Sequence, residues 1–245
     1  MKTSMLGEGR RRELVGRWPE VATRGVADKS GKALFPGNLV CLPAAIRLGS
    51  GAGWDVPGTV VGFAIGKDGS PSIVVHAPAW NGKRVDTWRT WIVRGGSCRA
   101  IGEDDARHLL ELGEARGAGI GSDTLVGADS RAAMAQAWMQ VMVGGVRTKG
   151  KVTIRPGDLV RLPRNVARNR GSQLHAAGTC LGYAVGLDGS PCIVVDAVGE
   201  DVPALTRWRT WVVRGAKCLV IDTKEAWRLE SMYARDGRLM PRRKS

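Results

Sequence analysis

The sequence predicts a mainly β protein with flanking helices, an α+β chain of two tandem units, and three observations predict it. The chain repeats itself about 120 residues on without a gap: Pro36 to Ile101 lies over Pro156 to Ile221 with 29 identities in 66 positions, a fixed-offset match that takes precedence over any local signal. Within each copy, four or five short apolar runs are separated by Gly, Pro and Asp-Gly, the spacing of a small antiparallel sheet or barrel. Stretches with helical period precede and follow each set of runs.

The opening helix is clearest in the second copy. Ala133, Met134, Ala137, Trp138, Val141 and Met142 recur at three- and four-residue spacing over 129–143, and Gly144-Gly145 stops them. The first copy carries Leu14, Val15, Trp18, Val21 and Ala22 on a similar stripe, but Pro19 falls inside it and is expected to kink or split that helix. Trp18 and Trp138 correspond, and both read as anchors pinning the helix to its neighbouring domain.

The strand runs follow in pairs. Residues 38–42 and 158–162 open each set, and 59–65 and 179–185 come next. A turn follows at Asp68-Gly69 or Asp188-Gly189, where Asp-Gly supplies the conformations a hairpin demands. The returning strands are 72–77 and 192–197, the fourth 89–94 and 209–214, and a short fifth 98–101 and 218–221. Each copy closes with a helix, 104–115 or 224–234, behind Gly102-Glu103 or the caps Asp222 and Thr223. The domains so defined are 1–120, with an N-terminal helical arm, a barrel over about 34–102 and a closing helix, and 121–245, with a barrel over about 154–222 and a basic tail.

Composition narrows the partners. Lys and Arg number 37 against 23 acids, a formal charge of +14, which favours a polyanion such as nucleic acid over a neutral partner. The excess is uneven: residues 1–120 hold 17 basic and 12 acidic side chains (+5), residues 121–245 hold 20 and 11 (+9). Five cysteines without a Cys-x-x-Cys spacing support neither a disulfide framework nor a zinc ribbon and read as core residues of a reducing, cytoplasmic compartment. No apolar run reaches the roughly 18 residues of a membrane span, so no membrane partner is expected.

The entry Pro156-Gly157-Asp158-Leu159-Val160-Arg161-Leu162, the Gly-Thr-x-x-Gly-Tyr run from Gly178 to Tyr183 and the order of strand lengths resemble SH3-like small barrels of the KOW and Tudor type, over about 65 residues of each copy. The resemblance implies two tandem SH3-like antiparallel barrels and a binding module of a kind that takes nucleic acid or protein segments and rarely catalyses.

Comparing the copies separates scaffold from candidate site. The loop after the first strand is Ala44-Ala45-Ile46-Arg47-Leu48-Gly49 in the first copy. In the second it is Arg164-Asn165-Val166-Ala167-Arg168-Asn169-Arg170, just beyond Arg161. Guanidinium forks and Asn amides are donors that phosphate oxygens and base edges accept. Arg161, Arg164, Arg168 and Arg170 are therefore candidate nucleic-acid contacts, and Leu48 and Trp54 give the first copy the look of a protein-contact surface.

Trp-Arg-Thr-Trp recurs at Trp88 to Trp91 and Trp208 to Trp211. Strand alternation sends Trp91 and Trp211 one way, to fill the interior, and Trp88 and Trp208 the other. There they are either covered by a helix or form a stacking surface for bases beside Arg89 and Arg209. Arg207, Trp208 and Arg209 complete the candidate set. Basic clusters at Arg10-Arg11-Arg12 and at Arg238, Arg242, Arg243 and Lys244 read as terminal arms that follow a phosphate backbone or as solvated tails.

An enzyme is not expected. His76, His108 and His175 stand where the other copy has Asp196, Arg228 and Asp55, so no metal site or general base is repeated. Asp68 and Asp188 are explained as turn formers, and Gly119 to Ser122 lacks the Lys and preceding strand of a phosphate loop. The sequence points to no cofactor. The competing expectation is a structural or adaptor protein of a large assembly, a virion or ribonucleoprotein, whose barrels dock protein.

Overall fold

The computed structural model describes residues 5–43, 55–80, 85–116, 125–163, 175–201 and 205–239, with the side chains of 79–80, 85–89, 198–201, 205–209 and 233–239 outside that description. The chain is mixed α and β, mostly β, with four helices and antiparallel sheets among the described residues. The elements recur at the 120-residue period. Helix α1 (Glu8–Arg24) precedes the hairpin β1 (Val26–Ala27) and β2 (Ala33–Leu34), as α3 (Ala128–Gly144) precedes β8 (Val146–Arg147) and β9 (Thr153–Ile154). Then come β3 (Leu39–Leu42), β4 (Val56–Ile65), β5 (Pro71–Trp80), β6 (Val85–Arg94), β7 (Arg99–Ile101) and α2 (Glu103–Ala115). Their counterparts are β10 (Leu159–Arg161), β11 (Ala177–Val185), β12 (Pro191–Asp201), β13 (Leu205–Arg214), β14 (Leu219–Val220) and α4 (Thr223–Leu239).

In each copy the first long-sheet strand lies between the second and the last. β3 pairs antiparallel with β4 and β7, β4 with β5, and β5 with β6. β10 pairs likewise with β11 and β14, and β12 with β13. The expected closed barrels do not appear: among the described residues no pairing joins the outer strands β6 and β7, or β13 and β14.

Two compact units divide the chain, and each takes segments from both sides of the repeat boundary. The larger holds Arg17–Gly144 with Tyr183–Pro191. Its core is built on β4, where every residue from Val56 to Ile65 is buried, with Ile73, Val74 and Val75 of β5 packed beside it. The smaller holds Met1–Gly16, Gly145–Gly182 and Cys192–Ser245. There Leu159, Ala177, Ala226 and Leu229 form one buried cluster, with Met5 and Ile221 against it. All five cysteines are buried, and none forms a disulfide. Burial, the leading cause in each case, pushes the Cys41 and Cys98 thiols up to about 11, as expected of cysteines that pack as small hydrophobes. No helix among the described residues is long and apolar enough to cross a membrane.

Three sequence expectations change. Helix α1 runs through Pro19 unbroken. The proline removes one backbone bond, but Leu14 before it and Val21 and Ala22 after it are all buried, and tertiary packing outweighs the lost bond. Arg10 to Arg12 are no arm: they sit in the first turns of α1, where Arg10 pairs with Glu13 and Arg12 with Glu8. The two-residue hairpins β1–β2 and β8–β9 are absent from the sequence reading.

The first hairpin turns on Asp28, which is only 4% exposed. Its carboxylate accepts the Ala100 N–H (2.8 Å), the Ser30 hydroxyl (2.6 Å) and the N–H groups of Ser30 (2.8 Å) and Lys32 (3.0 Å). The Ala100 amide, the largest influence, and the Ser30 hydroxyl hold the carboxyl at about 2 against the opposing effect of burial. The folded value lies below the unfolded one near 3.8, so the stabilisation is complete above about pH 4 and fades as pH falls through about 2. Asp28→Asn is expected to cost about 2 kcal/mol at pH 7. Urea titrations of both proteins should show the gap closing near pH 2. An equal gap at both pH values would refute the assignment. In the second copy Thr148 replaces this carboxylate, accepting the Val152 N–H at 3.2 Å.

Candidate nucleic-acid interface

Register in the smaller unit brings the ends of several strands together. Arg161 closes β10, paired with Ala177 on one side and with Leu219 of β14 on the other. Residue 178 follows on β11, and a side chain there would stand 2.8 Å from the Ala197 methyl and 2.7 Å from the Asp196 carbonyl. Ala197 is the register partner of Arg209, Val198 of Trp208 and Gly199 of Arg207. Arg161 and the backbone of 207–209 thus share one end of the sheet, the end away from the Asp188-Gly189 turn. Arg161 and Ala177, which bracket in sequence the segment that holds Arg164, Arg168 and Arg170, both lie at that end.

The side chain of Arg161 is half-buried. Glu225, in the first turn of α4, lies within its field. The Arg228 hydrogen bonds hold the Glu225 carboxyl below its ordinary value, with the charges of Arg228 and then Arg161 adding to this. Arg228 donates twice to Glu225, through Nε and Nη2, at 2.7 Å each. Glu200 and Asp201 oppose Thr206 and Leu205 at the far end of the β12–β13 ladder, so acids interleave with the bases along this edge. Arg164, Arg168 and Arg170 lie outside the described residues, as do Leu48 and Trp54. For Arg207, Trp208 and Arg209, and likewise Trp88 and Arg89, only the backbone is described.

The remaining motif residues are placed. Thr210 and Arg214 are exposed, Val213 is buried, and Trp211 lies between with its indole N–H fully covered; Thr90, Arg94, Val93 and Trp91 repeat the pattern. The inward reading of Trp91 and Trp211 agrees with this. Arg94 pairs with Asp68, whose carboxylate also accepts the Ser70 hydroxyl (2.6 Å) and N–H (3.0 Å). Those Ser70 bonds are the leading cause that holds the carboxyl at about 2. Asp188 accepts the Ser190 N–H at 3.1 Å. Both aspartates therefore act as turn formers, as their Asp-Gly-Ser setting predicts.

One aromatic escaped the sequence reading. Trp227 on α4 is 44% exposed and precedes Arg228, in the more basic copy. Its signal was available, since the first copy has Arg107 at this place. A pocket of about 380 Å³ beside α1 is lined by Arg11, Arg12, Glu8 and Asp158 with Val15, Gly157 and Thr223. Two carboxylates offset its two guanidinium groups, which makes it a poor anion site. The histidines lie apart in their bonding. His175 Nδ1 is 3.0 Å from the Leu162 carbonyl oxygen, and His108 stands 3.9 Å from Glu111. Burial lowers the pKa of His76, which sits mid-strand opposite Thr59 and Thr90.

No protein-family model, curated protein or solved structure matches the chain.

Proposed function

We propose that the protein is a non-enzymatic nucleic-acid-binding protein built on two SH3-like small barrels, which grips DNA or RNA mainly through phosphates at the loop-bearing end of the second copy's sheet. The observation that carries this reading is the convergence of Arg161, the roots of the arginine-rich loop and the Arg207–Arg209 backbone at one sheet end. That end lies in the copy with the larger positive excess. In each copy the first strand lies between the second and the last, an order compatible with an SH3-like barrel. Arg164, Arg168 and Arg170 supply forks for phosphate oxygens, and Arg161 and Arg209 add cations along an edge that also carries Glu200 and Asp201. Trp208 would offer a stacking face.

Fluorescence anisotropy with generic duplex DNA and RNA at several salt concentrations tests the proposal. If about four cations neutralise phosphates, log affinity falls with log salt at a slope of about −3.6 on duplex DNA. Replacing Arg164, Arg168 and Arg170 together by alanine removes three such contacts and is expected to flatten the slope by about 2.7. Absence of binding at low salt, or an unchanged slope in the triple variant, defeats the reading. Co-purification of a stoichiometric protein partner would favour the adaptor role instead.

A further inference from the structure

Each copy carries an opening helix and a closing helix, and the two behave differently. The closing helices stay at home, α2 packing on β3 and β4 of its own copy and α4 on β10 and β13 of its own. The opening helices do not. In the larger unit α3, which opens the second copy, buries Trp138 to 2% exposure. The Trp138 ring meets Phe63 of β4 edge-on, with centroids 5.1 Å apart and an angle of 82°. Higher on the same helix, the Arg131 carbonyl and the Ala135 methyl lie over Gly37, in the turn before β3. All these receiving residues belong to the first copy.

The reciprocal arrangement appears around α1, which opens the first copy. In the smaller unit its Arg11 carbonyl and Val15 side chain lie over Gly157, in the turn before β10. In the larger unit Trp18 meets Tyr183 of β11 edge-on, centroids 4.9 Å apart at 72°. Tyr183 is the counterpart of Phe63, Trp18 of Trp138, and Gly157 of Gly37. α1 also touches its own copy, where Arg17 donates to the Gly69 carbonyl.

The two receiving turns are matched in detail. Gly37 and Gly157 share a φ of 93°. A side chain at Gly37 would come within 2.6 Å of the Arg131 carbonyl oxygen, and one at Gly157 within 2.7 Å of the Arg11 carbonyl oxygen. Both turns are anchored alike, the Gly37 N–H donating to the Val60 carbonyl and the Gly157 N–H to the Cys180 carbonyl, each at 2.8 Å. Such a seat, left-handed and without a β-carbon, admits a helix backbone at close range. It recurs with donor and receiver interchanged.

We infer that the fold is a covalently joined, helix-exchanged pair, in which the strands of each copy receive the opening helix of the other. In the larger unit the surface at Gly37 and Phe63 is a docking site for the opening helix of a second module of this kind. Exchange of an identical element is a low-cost route to association between like modules. In this chain the two modules are joined end to end, so the partner is always at hand.

Amide hydrogen exchange on the full chain, read by mass spectrometry, distinguishes exchange from self-docking. Trp138→Phe is expected to accelerate exchange in β4 of the first copy about tenfold or more, while β10 of the second copy changes little. Trp18→Phe should act most on β11 and, through their shared hydrogen bonds, less on β4. The opposite assignment, with Trp138→Phe loosening β10 and β11 and sparing β4, overturns the inference. A second measurement cuts the folded protein at a protease site placed in 117–124: the fragments should co-elute, and because β4 and β11 are also hydrogen-bonded neighbours, the urea concentration that parts them should fall when Trp18 and Trp138 are both changed to Phe. Fragments that separate without denaturant, or that part at the same urea concentration in the double variant, would show that each copy keeps its own helix.

Discussion

Gly62→Ala is expected to lower stability by about 3 kcal/mol or more. A β-carbon at Gly62 would lie 2.2 Å from the Tyr183 carbonyl oxygen and 2.5 Å from the Ala184 Cα. These obstacles are strand backbone within the same unit, and backbone cannot swing aside as the end of a flexible side chain can. Relief requires the end of β11 to move away from β4, which breaks their hydrogen-bonded adjacency. The change should appear as a lowered urea midpoint at constant slope. Gly96→Ala is the control, because a β-carbon there meets nothing within 4 Å, and a shift within about 0.5 kcal/mol is expected. Comparable losses in both variants would show that the tight approach at Gly62 is not what β4 depends on.

Phe63→Ala is the second large effect. The ring is fully buried and lies between Trp138 at 5.1 Å and Phe35 at 6.2 Å, both edge-on. Truncation loses the transfer energy of the ring, leaves a cavity in β4 and removes two aromatic contacts, for about 3–5 kcal/mol in total. Phe63→Leu keeps most of the volume and is expected to lose markedly less. Urea unfolding of both variants checks the order; equal losses would point away from cavity formation and towards the aromatic geometry alone.

Much of the fold is legible in the sequence because its signals are local. The Asp-Gly-Ser turns at 68–70 and 188–190 are formed by side chains bonding to their own backbone two residues on. The helix at 128–144 ends where Gly145 takes a φ of 66°, as Gly144-Gly145 predicts. Strand ends are less legible. β5 and β12 continue to Trp80 and Asp201, past the ends at Ala77 and Ala197 that the apolar runs give, because the facing strands carry the hydrogen-bond ladder onward. The β1–β2 hairpin has two-residue strands and therefore no period to read; its anchor is the bond from Ala100 to Asp28, 72 residues away. Of the candidate site, Arg161 and the register at 207–209 are placed by strand pairing, while the arginine-rich loop was singled out by charge alone.

The sequence by itself determined the repeat, the order of the longer elements, the Asp-Gly turns and the basic excess of the second copy, since each is written in composition or in spacings of a few residues. Only the tertiary structure decided which sheet each opening helix covers and that the sheets stay open among the described residues. It also decided that Arg10 to Arg12 belong to a docked helix. The physical reason is common to all three. An amphipathic stripe such as Leu14, Trp18 and Val21 specifies that an apolar face must be buried, but the same stripe fits either of two like sets of strands, and the choice is made by close contacts at Gly37, Gly157, Phe63 and Tyr183.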